Sequence, residues 1–518
     1  LWQRHLPAKE KQPAVTLLRL LFSLTISLLA GYLLVTSLLK DVLNGGPWTI
    51  LKICLGSGIG LGLGSLSYFL WRLGVGPTKA GFFGFELAAL LGLLVYQRKI
   101  KRKYTHSDKK PPARLVSNGW GLVVRLSFGM AVLGAGLSFG LETLKSPHGG
   151  WDAWAIWNRE ARFLYRENDQ WRNAFSPLLS HADYPLLIAT AVARSWSYAG
   201  VETPFGPASI AFLFSFGTIG LLVTAVSCLR GRFLGYVAGL GLLSASAFVL
   251  AAPEQYADIP LGFYILATII LLHFYEQQDG EHKHWLALAG MTAGLATWTK
   301  NEGWLFLLSL LLARLLAVSW SKKHVMDKPK YARAWESAAQ PGNALPAQVN
   351  SSLWEEIKPF AAGLLPLLAI VLLFKAALAP ANDLASGQGA GMLQQLADAS
   401  RYVQIGKAFL IQSINLGSLD ATPLVILLAL ALLFGIRPPE WNKPAGSTAL
   451  LVLSGMLAGY FIVYLITPND LNWQLSTSLS RLYLQLWPLA VFILVTSIAA
   501  PGLTTGAIHA SDETKPGS

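Results

Sequence analysis

Five short stretches of the chain gather side chains that could do chemistry. The first is Gly149-Gly150-Trp151-Asp152-Ala153-Trp154, where a carboxylate heads a segment with Trp151, Trp154, Asn158, Arg162 and Tyr165 at helical spacing. A helix N-terminus favours the ionised carboxylate, and such a group can act as a general base toward a hydroxyl. A plain N-cap is the other reading of Asp152. The second is His181-Ala182-Asp183-Tyr184-Pro185. A His and an Asp two apart can share a metal ion or a substrate hydroxyl. They can equally form a helix-entry turn, with Asp183 capping and Pro185 in the first turn.

The third stretch, Pro253-Glu254-Gln255-Tyr256-Ala257-Asp258-Ile259-Pro260, carries two acids between apolar segments. Acids beside lipid are costly, so each calls for a structural or functional partner. The fourth is Thr299-Lys300-Asn301-Glu302-Gly303. Lys300 could hold a phosphate as a point charge, or snorkel at a helix end. The fifth runs from Thr467 to Tyr483 and contains Arg481. A guanidinium donates paired hydrogen bonds to phosphate oxygens.

Composition indicates what must position these residues. Of 518 residues, 53% are hydrophobic and 13% charged, against about 25% charged in soluble domains; the mean hydropathy is +0.46. Such a chain cannot cover the polar surface of a soluble protein, and it is too apolar to be disordered. It reads as an all-α polytopic membrane protein. Cys54 and Cys228 lie in apolar segments, outside any metal-ligand or disulfide pattern, as small buried hydrophobes.

Thirteen apolar segments are candidate spans: 17–39, 48–70, 79–96, 120–144, 206–229, 233–252, 259–275, 285–299, 303–319, 359–379, 422–436, 447–466 and 482–498. The net charge of +13 reads as a topology signal rather than a sign of nucleic acid. Residues 97–119 hold eight Lys and Arg against one acid, which marks that loop as cytoplasmic. Counting onward puts 145–205, 253–258, 300–302, 380–421 and 467–481 outside, so all five stretches share one side. The basic 320–358 loop falls inside.

Arg4, Lys9, Lys11 and Arg19 argue against the outside N-terminus that this count requires. Either the charge rule fails at this end, or one of the first three segments does not cross, with the Gly-rich run 56–64 as the expected exception; its Gly58, Gly62 spacing matches a helix-packing motif. Residues 184–200 contain Arg194, and counting them as a span would invert every later loop. They read as a helix on, or dipping from, the outer surface, and the Trp-rich 151–165 helix likewise as lying on the outer leaflet.

The order of these features resembles the GT-C superfamily of integral membrane glycosyltransferases, similar to lipid A aminoarabinose transferases and protein O-mannosyltransferases. The resemblance covers roughly 120–500 and rests on Trp-Asp-Ala-Trp at 151–154, Asp-Tyr-Pro at 183–185, Ala-Asp-Ile-Pro at 257–260 and Thr-Lys-Asn-Glu-Gly at 299–303. It implies a catalytic core over 120–320 with the outer loop 145–205. The N-terminal helices and basic loop of 1–119 precede it and are extra to that family core. A cytoplasmic loop (321–358), C-terminal helices (359–500) and a disordered tail (501–518) would follow.

The resemblance further implies an inverting transfer of a sugar from a polyprenyl-phosphate donor to a lipid, glycan or protein acceptor on the outer, periplasmic face of a bacterial inner membrane. Asp152 would be the base, and Lys300 and Arg481 would hold the donor phosphate. His181, Asp183, Glu254, Asp258 and Glu302 would position the acceptor or a divalent metal ion, with Asp183 and Asp258 as its ligands. Membrane lipids and the donor are the expected partners, with protein partners reaching the N-terminal helices and nucleic acid excluded. A transporter or lipid flippase, or a non-catalytic subunit with the same fold, are the alternatives.

Overall fold

The computed structural model describes residues 13–39, 45–103, 119–166, 170–278, 282–327, 353–382, 391–415, 423–435 and 444–499. Every regular element among them is helical. The first helices are α1 (Pro13–Leu38), α2 (Gly46–Gly74), α3 (Lys79–Lys103) and α4 (Gly119–Lys145). A loop region follows with a π-helical turn (Ala153–Trp157), α5 (Asn158–Arg166), a 3₁₀ turn (Trp171–Phe175) and α6 (Leu187–Ala199). Next come α7 (Phe205–Arg230), α8 (Arg232–Leu243), α9 (Ser246–Ala251), α10 (Asp258–Gln277), α11 (His284–Thr299) and α12 (Glu302–Asp327). The chain continues with α13 (Leu353–Ala377), α14 (Gly391–Ala397), α15 (Ala399–Asn415), α16 (Pro423–Phe434), α17 (Pro444–Ile466) and α18 (Leu471–Ser497).

Ten of these helices are long and apolar enough to cross a membrane, which makes the chain an integral membrane protein by architecture. The thirteen expected segments all fall on helices, but three of them not on a straight, span-length one. Segment 233–252 is a pair of helices bent by 73°. Segments 285–299 and 422–436 correspond to α11 and α16, of 16 and 12 residues. Helices α14 and α15, between Gly391 and Asn415, went unseen in a stretch read as an outer segment. The expected tail 501–518 and residues 328–352 of the expected cytoplasmic loop lie outside the described residues, while 321–327 and 353–358 belong to α12 and α13.

The Gly-rich run does not interrupt a span. It lies within α2, and all of α1, α2 and α3 are span-length helices. A Cβ on Gly56 would stand 2.7 Å from the Tyr32 backbone, and one on Gly60 1.9 Å from the Ser27 carbonyl. Gly56 and Gly60, together with Gly31 of α1, therefore let two backbones touch. Gly58 and Gly62, the pair singled out by spacing, face elsewhere: they make room for Phe263 of α10 and Leu295 of α11.

Helix α6 does not lie on a surface either. All thirteen of its residues are buried, between α5 and helices α1, α2 and α7. Arg194 is tolerated there because Glu86 of α3 takes its Nε and Nη2, at 2.8 and 2.9 Å. Tyr68 Oη of α2 bonds Ser197 Oγ of α6 at 2.9 Å, so the far end of α2 abuts the loop region. At its other end Trp48 packs on Phe274, late in α10, with ring centroids 4.8 Å apart. Helix α1 therefore starts at the loop-region end of the bundle, against the sense of its basic residues.

Candidate functional site

Asp152 is delivered by two glycines. Gly149 has φ +74, and Gly150 N–H donates to the Glu254 carbonyl at 3.1 Å. A Cβ would come 2.5 Å from that carbonyl at Gly149, and 2.3 Å from Tyr256 Oη at Gly150. The loop is thus pressed onto the 254–256 turn, which only Gly-Gly permits. The next turn is π-helical, with Asn158 N–H reaching the Ala153 carbonyl. This widened turn splits the expected stripe: Trp151 and Trp154 are exposed, while Asn158 is buried.

Asp152 makes no capping hydrogen bond, which removes the N-cap reading. Its Oδ2 meets Arg481 Nη1 at 2.7 Å instead. Arg481 stands just before the expected span 482–498 in sequence, yet it does not begin a helix. Helix α18 begins ten residues earlier, capped by Asp470, whose Oδ1 accepts from Trp473 N–H at 2.8 Å. Arg481 therefore lies roughly 15 Å along the helix axis.

The centre of the cluster is Asp258, 1% exposed at the start of α10. Its Oδ2 accepts from Arg481 Nε and Nη2, at 3.0 and 2.8 Å. Its Oδ1 accepts from Lys300 Nζ at 2.9 Å and Gln485 Nε2 at 2.6 Å. Gln485 is held in turn by Tyr460 Oη, 2.7 Å from its Oε1. Lys300 also pairs with Glu302 at 2.8 Å, and the Arg481 guanidinium lies 4.6 Å from the Tyr256 ring centroid. Asp152, Asp258, Glu302, Lys300 and Arg481 thus form one continuous ion-paired chain, drawn from α10, α12, α18 and the loops between helices.

Glu254 stands beside this chain, half-buried. Burial raises its carboxyl above the usual range, opposed by Arg481 and reinforced by Asp258 and Asp152. Burial and the same Glu254 push the Tyr256 phenol up to about 12. Burial alone would lower the Lys300 ammonium, but the Asp258 and Glu302 carboxylates outweigh it and hold it raised. Lys300 is thus a fixed cation, 5% exposed, and not a free phosphate ligand.

Asp183 belongs to a neighbouring set. Its Oδ2 accepts from Asn301 Nδ2 at 2.7 Å and Asn382 Nδ2 at 2.8 Å, with Lys375 Nζ 3.5 Å away. Lys375 also donates to Asn301 Oδ1 at 2.8 Å. It is no helix cap, since α6 starts at Leu187 without a side-chain cap. His181, at φ +56, stacks on Tyr184, which stacks on Trp157. Asp183 and Asp258 therefore sit in separate hydrogen-bond sets, which meet at the adjacent residues Lys300 and Asn301. Among the described residues no three His, Cys, Asp or Glu side chains could hold a metal ion together. The residues do not fit a divalent ion shared by Asp183 and Asp258.

Several partners escaped the sequence reading. Gln485 and Tyr460 sit within apolar helices, where a neutral polar side chain gives little signal. Asn301 and Lys375 were visible as polar residues near span ends, yet nothing in the sequence paired them with Asp183. Compared with family models, with curated proteins and with solved structures, the chain matches none.

Proposed function

We propose that the chain is a membrane glycosyltransferase that moves a sugar from a polyprenyl-phosphate donor to a lipid, glycan or protein hydroxyl on the outer face, with inversion. One observation carries this reading: Arg481 is shared between a sealed carboxylate, Asp258, and a part-exposed one, Asp152. An anionic phosphate arriving at the open side competes with Asp152 for the guanidinium. Once displaced, Asp152 is a carboxylate beside the reacting groups. It takes the proton of the acceptor hydroxyl, whose oxygen attacks the anomeric carbon. The bond from that carbon to the phosphate oxygen breaks, and its electron pair leaves with the polyprenyl phosphate.

Lys300 contributes positive charge from beneath, through Asp258, without touching the donor. Glu254, with its raised carboxyl, lies on the same side and is placed to orient the acceptor. Trp151 and Trp154, exposed and with ring centroids 5.7 Å apart, offer a bilayer-facing approach for a lipid-linked substrate.

The test uses purified protein in lipid nanodiscs, a panel of short-chain polyprenyl-phosphate sugars and a crude acceptor extract, with released polyprenyl phosphate as readout. Asp152→Asn should lower release by about 10²–10⁴-fold, the usual contribution of a positioned base, while the protein stays folded. Full release by that variant would sink the mechanism. The bent pair α8–α9 favours a transporter as the second reading, since broken helices line many transport sites. Solute uptake into sealed vesicles with no glycosyl product would decide for it.

A further inference from the structure

A cavity of about 100 Å³ opens where the α2–α3 hairpin meets α5, apart from the site around Asp258. Its lining includes Arg72 at the end of α2, Lys79 at the start of α3 and Arg166 at the end of α5, and no Asp or Glu. Arg72 is 6% exposed, a guanidinium kept inside the protein against the cavity wall. The Lys79 ammonium lies over the Tyr165 ring, 4.2 Å from its centroid, and among the described residues no carboxylate pairs with it. Arg166 is held by Glu202, which keeps its position fixed.

The remaining wall is aromatic and small. Tyr68 and Tyr165 contribute phenol rings, and the Gly76-Pro77-Thr78 turn runs directly into the start of α3. That first turn of α3 carries no acid, so its N-terminal amides add to the positive field. Arg72 and Lys79 line one small concave space beside Arg166, whose charge Glu202 balances, and no Asp or Glu is among the lining residues. The Lys79 ammonium and the Arg72 guanidinium repel one another, and an anion seated between them relieves that repulsion. The size suits a compact, strongly charged group rather than an extended chain.

We propose that this cavity is a binding site for a phosphate group, separate from the transfer site. Its phosphate would sit between Lys79, Arg72 and Arg166, tying the N-terminal hairpin to the loop region that carries Asp152. The group could be the head of an anionic lipid or the phosphate of a free molecule, and both present the same oxygens to these cations.

Hydrogen exchange read by mass spectrometry tests this on the full chain in neutral detergent. One arm adds inorganic phosphate and the other dihexanoyl phosphatidic acid. Slowed exchange in peptides covering 72–82 and 161–166, with either probe, supports the site. Protection by the lipid alone assigns a lipid headgroup, and equal protection by inorganic phosphate assigns a free phosphate compound. Lys79→Gln should abolish the protection and Lys79→Arg should keep it, with exchange elsewhere unchanged in both. No protection with either probe, or protection that survives Lys79→Gln, overturns the proposal. Peptides around Asp152 and Arg481 report the transfer site separately, so failure of one site does not read as failure of the other.

Discussion

Two arginines in this protein each give Nε and Nη2 to one buried carboxylate, Arg194 across both oxygens of Glu86 and Arg481 to Oδ2 of Asp258 alone, and they differ in what surrounds them. Arg194 of α6 gives its Nε and Nη2 to Glu86 and its Nη1 to Ser23 Oγ at 2.9 Å. Tyr198 Oη adds a bond to Glu86 at 2.6 Å. The two charged side chains are 3% and 8% exposed. Arg481 of α18 gives its Nε and Nη2 to Asp258, but its Nη1 to a second acid on a loop. Its side chain is 23% exposed and that of Asp152 15%. The first cluster is closed on all sides and fastens α6 to α1 and α3. The second is closed on one side and accessible on the other. An ion pair sealed in the interior can hold a fold; one with an accessible arm can exchange a partner.

The largest expected effect breaks the closed cluster. Arg194→Met leaves Glu86 buried and unpaired, which costs about 3–5 kcal/mol. The variant should aggregate on solubilisation, seen by size exclusion in detergent. The double variant Arg194→Met with Glu86→Leu removes both charges and should recover most of the folded fraction. Failure of the double variant would mean that Arg194 does more than neutralise Glu86.

The open cluster should respond differently. In Arg481→Gln, Asp258 keeps Lys300 and Gln485, so the protein should stay folded with a small loss of stability. Polyprenyl phosphate binding should weaken by roughly 10–100-fold, the equivalent of charge-assisted hydrogen bonds worth about 1.5–3 kcal/mol. A variant as unstable as Arg194→Met would erase the distinction between the two arginines.

The smallest effect concerns Glu160 of α5, fully buried, with neither carboxyl oxygen hydrogen-bonded. Burial holds its carboxyl well above the usual range, against the opposing pull of Arg159. A folded pKa raised above the unfolded one gives stability that is complete below the ordinary carboxylate range and lost as pH rises through the folded value. Glu160→Gln should therefore match the native protein at pH 4 and exceed its melting temperature by a few degrees at pH 8. An equal gap at both pH values would mean that Glu160 is ionised in the fold.

Much of this was legible in the sequence, for stated reasons. Asp152, Asp258, Lys300, Glu302 and Arg481 stood out because charges are rare in an apolar chain, and loop charges put their segments on one side. What the sequence could not show was pairing. Lys300 reads as a phosphate ligand until Asp258 and Glu302 are seen to occupy it. Asp183 reads as a metal ligand or cap until Asn301 and Asn382 are both seen to donate to its Oδ2. Glu86, an acid inside an apolar helix, was the available signal for the Arg194 partner, and it was passed over, so α6 was read as a surface helix. The apolar segments 285–299 and 422–436 lie on helices of 16 and 12 residues, shorter than the roughly 20 of a straight span, and hydropathy alone sets no minimum length.

The central claim is that Asp152 and a donor phosphate compete for the same face of Arg481. Equilibrium binding of a short-chain polyprenyl phosphate to purified native protein and to Asp152→Asn tests it most directly. Removing the competing charge should tighten binding in Asp152→Asn, and Arg481→Gln should weaken it. Unchanged or weaker binding in Asp152→Asn would contradict the claim.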